Sequence, residues 1–257
     1  MRELDRIPTS PLPVTGLGAG RLSCCAIVGA GRLGTALAAA LRATGLAVEG
    51  PLGRGADPVG CDAVLLCVPD DQIAAAAAAV SPGVPVGHCS GATPLDALAG
   101  HEAFGLHPLM TAPRAGATVF AGAGAAVAGS SPGALAIARE LAARLGMRAV
   151  TIAEEDRAAY HAAASIASNF LTTVEGAAER LAATAGIDRE LLAPLVRASV
   201  EAWVQLGAQA ALTGPIARGD EATVARQRAA VQERTPDLVA LFDALAAATR
   251  SLAGAAR

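Results

Sequence analysis

Residues 29–34, Gly29-Ala30-Gly31-Arg32-Leu33-Gly34, stand between a short apolar run, Cys24 to Val28, and a segment, Thr35 to Thr44, that is helical by composition and stopped by Gly45. A GxGxxG alone is common. Between a strand and a helix, however, its three glycines have separate uses: a tight turn, close approach of backbone to a pyrophosphate, and close packing of helix on strand. The helix N-terminus adds free N–H groups and the positive end of its dipole. On this reading Gly29, Gly31, Arg32, Leu33 and Gly34 hold the phosphates of a dinucleotide. The bland alternative is an ordinary glycine-rich turn.

Cofactor choice rests on the end of the second strand, Ala47 to Gly50. An acidic residue ~20 positions past the motif would hold the ribose hydroxyls of NAD, whereas an arginine accommodates the extra phosphate of NADP. Arg54 stands at that distance and Glu49 falls earlier, inside the strand. NADP is the expected cofactor and NAD the alternative, with a solvated loop charge as the plain reading of Arg54.

Further strand-like runs follow at Ala63–Val68, Val84–Cys89, Ala103–Leu106, Ala125–Ala128 and Arg148–Ile152. Helical segments fall at Asp71–Val80 and Pro132–Leu145. Such alternation implies a parallel sheet with both faces covered. Between Arg54 and Asp62 there is no room for a helix and a third strand, so the Rossmann-type sheet is expected to be truncated on that side. From Ala153 the strand signal ends, and Glu154–Ala185, Asp188–Ala211 and Asp220–Leu252 carry helical periodicity. The expected organisation is a flexible lead over residues 1–21, a Rossmann-like dinucleotide-binding domain over 22–153, and an all-helical substrate and dimerisation domain over 154–257.

Composition narrows the function. With 53% apolar and 17% charged residues the chain is not of the disordered class. A net charge of -3, no basic tract and 2% aromatic residues argue against a nucleic-acid partner. All 20 cationic residues are arginine. Without lysine there is no Walker-A loop, no Schiff base and no lysine proton donor. The longest uncharged stretch, Ala115 to Ala138, is mostly alanine broken by glycines and Pro132, so no membrane span is expected. Residues 1–21 lack the apolar core of a signal peptide. The five cysteines show no CxxC or histidine spacing, which reads as free buried thiols in a reducing cytoplasm, with no disulfide and no metal.

Several segments together resemble a known group. They are Ile27–Gly34, Val64–Asp70, His88-Cys89-Ser90-Gly91, Gly105–Leu109, Tyr160–Ala164 with Ser168-Asn169, and Ala211–Asp220. The chain is similar to Rossmann-like proteins whose C-terminal half is the domain of unknown function 2520, distant relatives of ketopantoate, pyrroline-carboxylate and prephenate reductases and dehydrogenases. The resemblance implies an NAD(P)-dependent oxidoreductase with a dimerising helical half similar to that of 6-phosphogluconate dehydrogenase, and ketopantoate reduction as one suspected activity. Trp203 and Gln227 depart from the pattern, where a polar residue and a histidine are expected.

Reduction of a carbonyl or imine needs a proton donor and a substrate anchor beside the nicotinamide. In lysine-using relatives the donor lies one helical turn before an asparagine on the first long helix of the second domain. Here His161, Ser165 and Asn169 recur at spacing four, and Ser165 takes the lysine position. His161 is then the expected acid/base, with Asn169 orienting it; satisfied polar residues in a helix interface are the alternative. His107, before Pro108 at a strand end, is the competing catalytic candidate, and a plain turn device is its alternative. Arg218, with Thr213 and Ser165, is the expected anchor for a small carboxylate substrate, and Asp220 a helix cap. Val68, Pro69 and Ser90 complete the expected cofactor contacts, His88 buttresses their loop, and His101 reads as a surface residue. Two readings stay in play: a homodimeric NADP-dependent reductase of a small keto acid or imine, and a nucleotide-binding sensor or partner protein without catalysis.

Overall fold

The computed structural model describes residues 22–111 and 119–254; the expected lead over residues 1–21 lies outside them. The chain divides into two compact units, Met1–Ala164 and Ser165–Arg257.

The first unit is built on seven strands: β1 Cys24–Val28, β2 Ala47–Leu52, β3 Ala63–Leu66, β4 Val86–His88, β5 Ala103–Leu109, β6 Gly124–Gly129 and β7 Arg148–Thr151. Their order in the sheet is β2-β1-β3-β4-β5-β6-β7. β2 is the edge, and no strand lies beyond it among the described residues, so the sheet is truncated on that side. Pro51 sits within β2, where an edge strand tolerates the missing N–H. β1 and β3 are apolar throughout because their residues are covered on both faces.

One pairing departs from the all-parallel expectation. β5 and β6 run antiparallel, with His107 opposite Ala126 and Leu106 opposite Val127. A parallel return needs a crossover, usually a helix, and the described residues between these two strands contain none.

Helix α1, Arg32–Ala43, buries Gly34, Leu37, Ala38 and Leu41, the stripe of an amphipathic helix. It shares one face of the sheet with a later helix, Pro132–Arg144, whose N-cap Ser131 accepts a hydrogen bond from the Ala134 N–H. On the opposite face the short helix α2, Ile73–Ala78, packs on Val28, Val64 and Leu66. We number the Pro132–Arg144 helix α3.

The cysteines need a correction. Cys24 and Cys61 form a disulfide, with Cα atoms 4.7 Å apart, while Cys25, Cys67 and Cys89 are free. Cys24 opens β1 and Cys61 precedes β3, and the pairing of those strands sets the two side by side at their half-buried ends.

Beyond β7 the chain is helical: α4 Arg157–Ser165, a π turn at Ile166–Phe170, α5 Leu171–Ala183, α6 Arg189–Leu206, α7 Ala208–Ala211, α8 Glu221–Arg234 and α9 Val239–Gly254. Two expected helices are each split. Gly207, at φ 78°, separates α6 from α7, and Pro236 begins a turn between α8 and α9. Asp220 caps α8, accepting from the Thr223 N–H at 3.0 Å. Within the second unit α5 and α6 bury no residue, and Leu191, Leu195, Trp203 and Val204 on α6 are exposed.

Candidate active site

Strand register builds a row of loops at one end of the sheet. Val28 pairs with Leu66, Leu66 with His88, and His88 with Gly105. Two residues past each partner stand Ala30, Val68 and Ser90, at the carboxyl ends of β1, β3 and β4, where open α/β sheets bind ligands, and His107, which lies within β5 just past its parallel pairing with β4.

The glycine loop opens the row. Gly29 has φ 119°, and a Cβ there would lie 2.3 Å from the Cys67 carbonyl oxygen. A Cβ on Gly34 would lie 2.0 Å from the Gly29 carbonyl oxygen. Both glycines are therefore imposed by protein packing. Gly31 differs: its backbone is extended, with φ -74° and ψ -178°, and a Cβ would meet nothing within 4 Å. Gly31 is also the N-cap of α1, which has no side-chain cap and no acidic residue in its first turn. A helix start without a capping side chain, with open space at Gly31, suits an anion, so the loop fits a dinucleotide pyrophosphate. Arg54 is exposed just beyond β2, and Val68 is half-buried beside exposed Pro69 at the end of β3.

Ser90 anchors the next loop. Its hydroxyl donates to Asp70 Oδ2 at 2.8 Å and accepts from the Ala92 and Thr93 N–H groups. His88, wholly buried, accepts the Ser90 N–H at Nδ1, so its proton sits on Nε2. Burial and the nearby Arg157 charge lower its pKa.

His107 lies against Gly91, where a Cβ would be 2.8 Å from its ring. Its Nδ1 is 2.7 Å from the Tyr160 hydroxyl, and the two rings meet edge to face. His161 stands close by, its ring centroid 6.3 Å from that of His107. Burial first, and then the neighbouring His161, lower the pKa of His107 to about 4, so its imidazole is neutral at pH 7. Burial raises the Tyr160 pKa, which the Arg157 charge partly offsets. Arg157 is buried at the start of α4, its guanidinium held by both carboxylate oxygens of Glu154 at 3.0–3.1 Å. Ser90, Gly105, His107, Ile152 and Arg157 line a small cavity in this region.

A pH dependence of stability follows. The unfolded chain protonates His107 near its ordinary value of 6.5, the folded chain only near 4. Stability is complete above pH 6.5 and falls as pH drops towards 4, because the unfolded state takes up the proton first. Discounted for partial exposure, the loss is about 2 kcal/mol. Thermal melts from pH 7.5 to 4.5 should show a steeper decline for the unmodified protein than for His107→Asn; parallel curves would refute it.

Of the expected site residues, the first unit brings His107 and His161 together and holds all the expected cofactor contacts, with Ser90 in the same row. The remaining expected catalytic and substrate residues belong to the second unit. Ser165 is half-buried, and Asn169, Thr213 and Arg218 are exposed. Asn169 lies in the π turn, so the α-helical period that set the expected His161–Ser165–Asn169 stripe does not run through to it. His101 is not a free surface residue: it is half-buried, with Nε2 3.0 Å from the Ala77 carbonyl. The sequence assigned no role to Tyr160 or Asp70, though both fall in segments that carry the resemblance, nor to Arg157. The Glu154–Arg157 spacing of three at a helix start was the one signal available for Arg157.

The fold and this row of loops define a Rossmann-like protein with a truncated sheet. Residues 124–249 match the family model described as domain of unknown function (DUF2520), a match that begins in the sheet at β6 and so is not confined to the helical part. No curated protein sequence matches the chain. Among solved structures, a candidate NADP oxidoreductase (BF3122) from Bacteroides fragilis superposes with a TM-score of 0.77 at 19% identity, over 90% of this chain and 99% of its own. Protein TM1727 from Thermotoga maritima does so at 0.74 and 21% identity, over 91% and 99%. A reductive aminase from Aspergillus terreus gives 0.65 and 16%, over 92% and 99%. At these identities the likeness is one of fold. No helix among the described residues is long and apolar enough to cross a membrane.

Proposed function

We propose that this protein is an NADP-dependent oxidoreductase that reduces a small carbonyl or imine compound. The observation that carries the reading is the glycine loop, in which two glycines are forced by packing while Gly31 is left open over an uncapped helix end. The fold likeness supports it, since the Aspergillus enzyme was solved with NADPH and ethyl levulinate. Gly29, Gly31, Arg32, Leu33 and Gly34 would hold the pyrophosphate, Arg54 the ribose phosphate, and Val68, Pro69 and Ser90 the path towards His107.

The bound cofactor supplies a hydride. The protein supplies the proton, for which Tyr160 is the donor: neutral His107 gives its Nδ1–H to the phenolic oxygen, and the Arg157 charge favours the phenolate left behind. His161, one residue on, faces the same pair and is the alternative acid. Arg218, which forms no salt bridge among the described residues, is the proposed fork for a substrate carboxylate, and Thr213, Ser165 and Asn169 of the helical unit are the other proposed substrate contacts. The exposed apolar residues of α6, in a unit with few buried ones, suit pairing with a second copy.

Calorimetry with NADPH and NADH, followed by absorbance assays on keto acids that include ketopantoate and on cyclic imines, tests the reading. Micromolar NADPH binding that weakens about tenfold in Arg54→Ala, turnover on one class, and a two-chain mass by light scattering are expected. No heat with either nucleotide would sink it; binding without turnover would favour a sensor.

A further inference from the structure

Cys67 and Cys89 lie side by side under the glycine loop. Each follows one member of the Leu66–His88 pair of β3 and β4, and their sulfurs are 3.7 Å apart. Cys67 is the surface on which the loop rests: its carbonyl oxygen blocks a Cβ on Gly29, and its own Cβ lies 3.1 Å from where a Cβ on Gly34 would be. The other thiols are differently placed. Cys25 is wholly buried, and Cys24 and Cys61 are already joined. Cys67 is half-buried and Cys89 nearly covered, so Cys67 is the more exposed member of the pair.

We propose that Cys67 and Cys89 are a reversible dithiol–disulfide site whose oxidation loosens the glycine loop and weakens nucleotide binding. A disulfide has its sulfurs ~2.05 Å apart. Closing the present gap draws both side chains together directly beneath Gly34, where packing leaves no slack. The co-reactant is a small disulfide. Cys67, as thiolate, attacks one of its sulfurs, forming a mixed disulfide and releasing one small thiol. Cys89 then gives up its proton and attacks the Cys67 sulfur, releasing the second. Two electrons pass from the pair to the small disulfide, and two small thiols leave. The Cys89 hydrogen bond and burial hold the Cys67 thiol well above its ordinary pKa, so the first step quickens in alkaline buffer.

The effect on nucleotide rests on the proposed function, but the bond does not. The full chain is incubated with oxidised glutathione at pH 8.5, quenched in acid, alkylated and mapped by mass spectrometry, with thermal melts and NADPH titrations before and after. A Cys67–Cys89 link, a fall in melting temperature of several degrees and a roughly tenfold weaker Kd, all reversed by dithiothreitol, are expected. Cys89→Ser should instead retain one glutathione. Absence of the link, or a link that leaves both melting temperature and Kd unchanged, overturns the proposal. If the reduced protein binds no NADPH, the nucleotide reading fails, while the link and the melt still decide whether the pair acts on the loop.

Discussion

A Gly31→Val protein is expected to fold almost normally and to lose NADPH affinity by at least about a hundredfold, or ~2.7 kcal/mol. The separation follows from where the three glycines face. At Gly31 the backbone is extended and the space around a Cβ is empty, so valine meets no protein atom. The stability cost is confined to the N-cap, where glycine is favoured over aliphatic residues by less than ~1 kcal/mol, a few degrees in melting temperature for a protein of this size. The same side chain projects where a pyrophosphate would approach the amides of α1. Gly34→Val should behave in the opposite way. Its Cβ would sit 2.0 Å from the Gly29 carbonyl, a backbone atom that cannot step aside, so the loop or the whole unit gives way at a cost of roughly 3 kcal/mol or more. Calorimetry and thermal melts on both variants check this. A Gly31→Val protein that still binds NADPH at the unmodified affinity would show that the cradle is not a phosphate site.

That contrast also marks what a sequence can disclose. The motif and its strand–helix setting announced the loop, because three glycines at that spacing satisfy local steric demands. The truncated sheet was legible for a similar reason: the chain between Arg54 and Asp62 is too short to hold two more elements. The antiparallel β5–β6 pair was not, since apolar runs look alike in either direction and only the connection decides. The Cys24–Cys61 bond depends on the register of β1 against β3, which no spacing encodes. Tyr160 was hidden for a related reason. Its partner His107 is 53 residues away, so the 2.7 Å contact exists only once α4 meets the end of β5. The π turn could not be read either, because it changes the helical period without any proline or glycine to announce it.

Tyr160→Phe should lower kcat by roughly 10²–10³-fold on a substrate found by the screen above, with the KM for NADPH unchanged. The phenol is the polar group that His107 holds at hydrogen-bond distance, and phenylalanine keeps its ring packing while removing only the proton. His107→Gln should cost a similar factor, because the phenolate then loses its Nδ1–H. The double variant should be little worse than the poorer single, as for groups that act as a unit. His107 protonates only near pH 4 and the Tyr160 pKa is raised, so kcat/KM should stay level from about pH 5 to 8 and decline only in strong alkali. The competing acid is His161. His161→Ala separates the two: less than a tenfold loss is expected if it only neighbours the pair through the 6.3 Å ring contact. A thousandfold loss there, with Tyr160→Phe still active, would pass the proton to His161 and leave His107–Tyr160 as a structural bond.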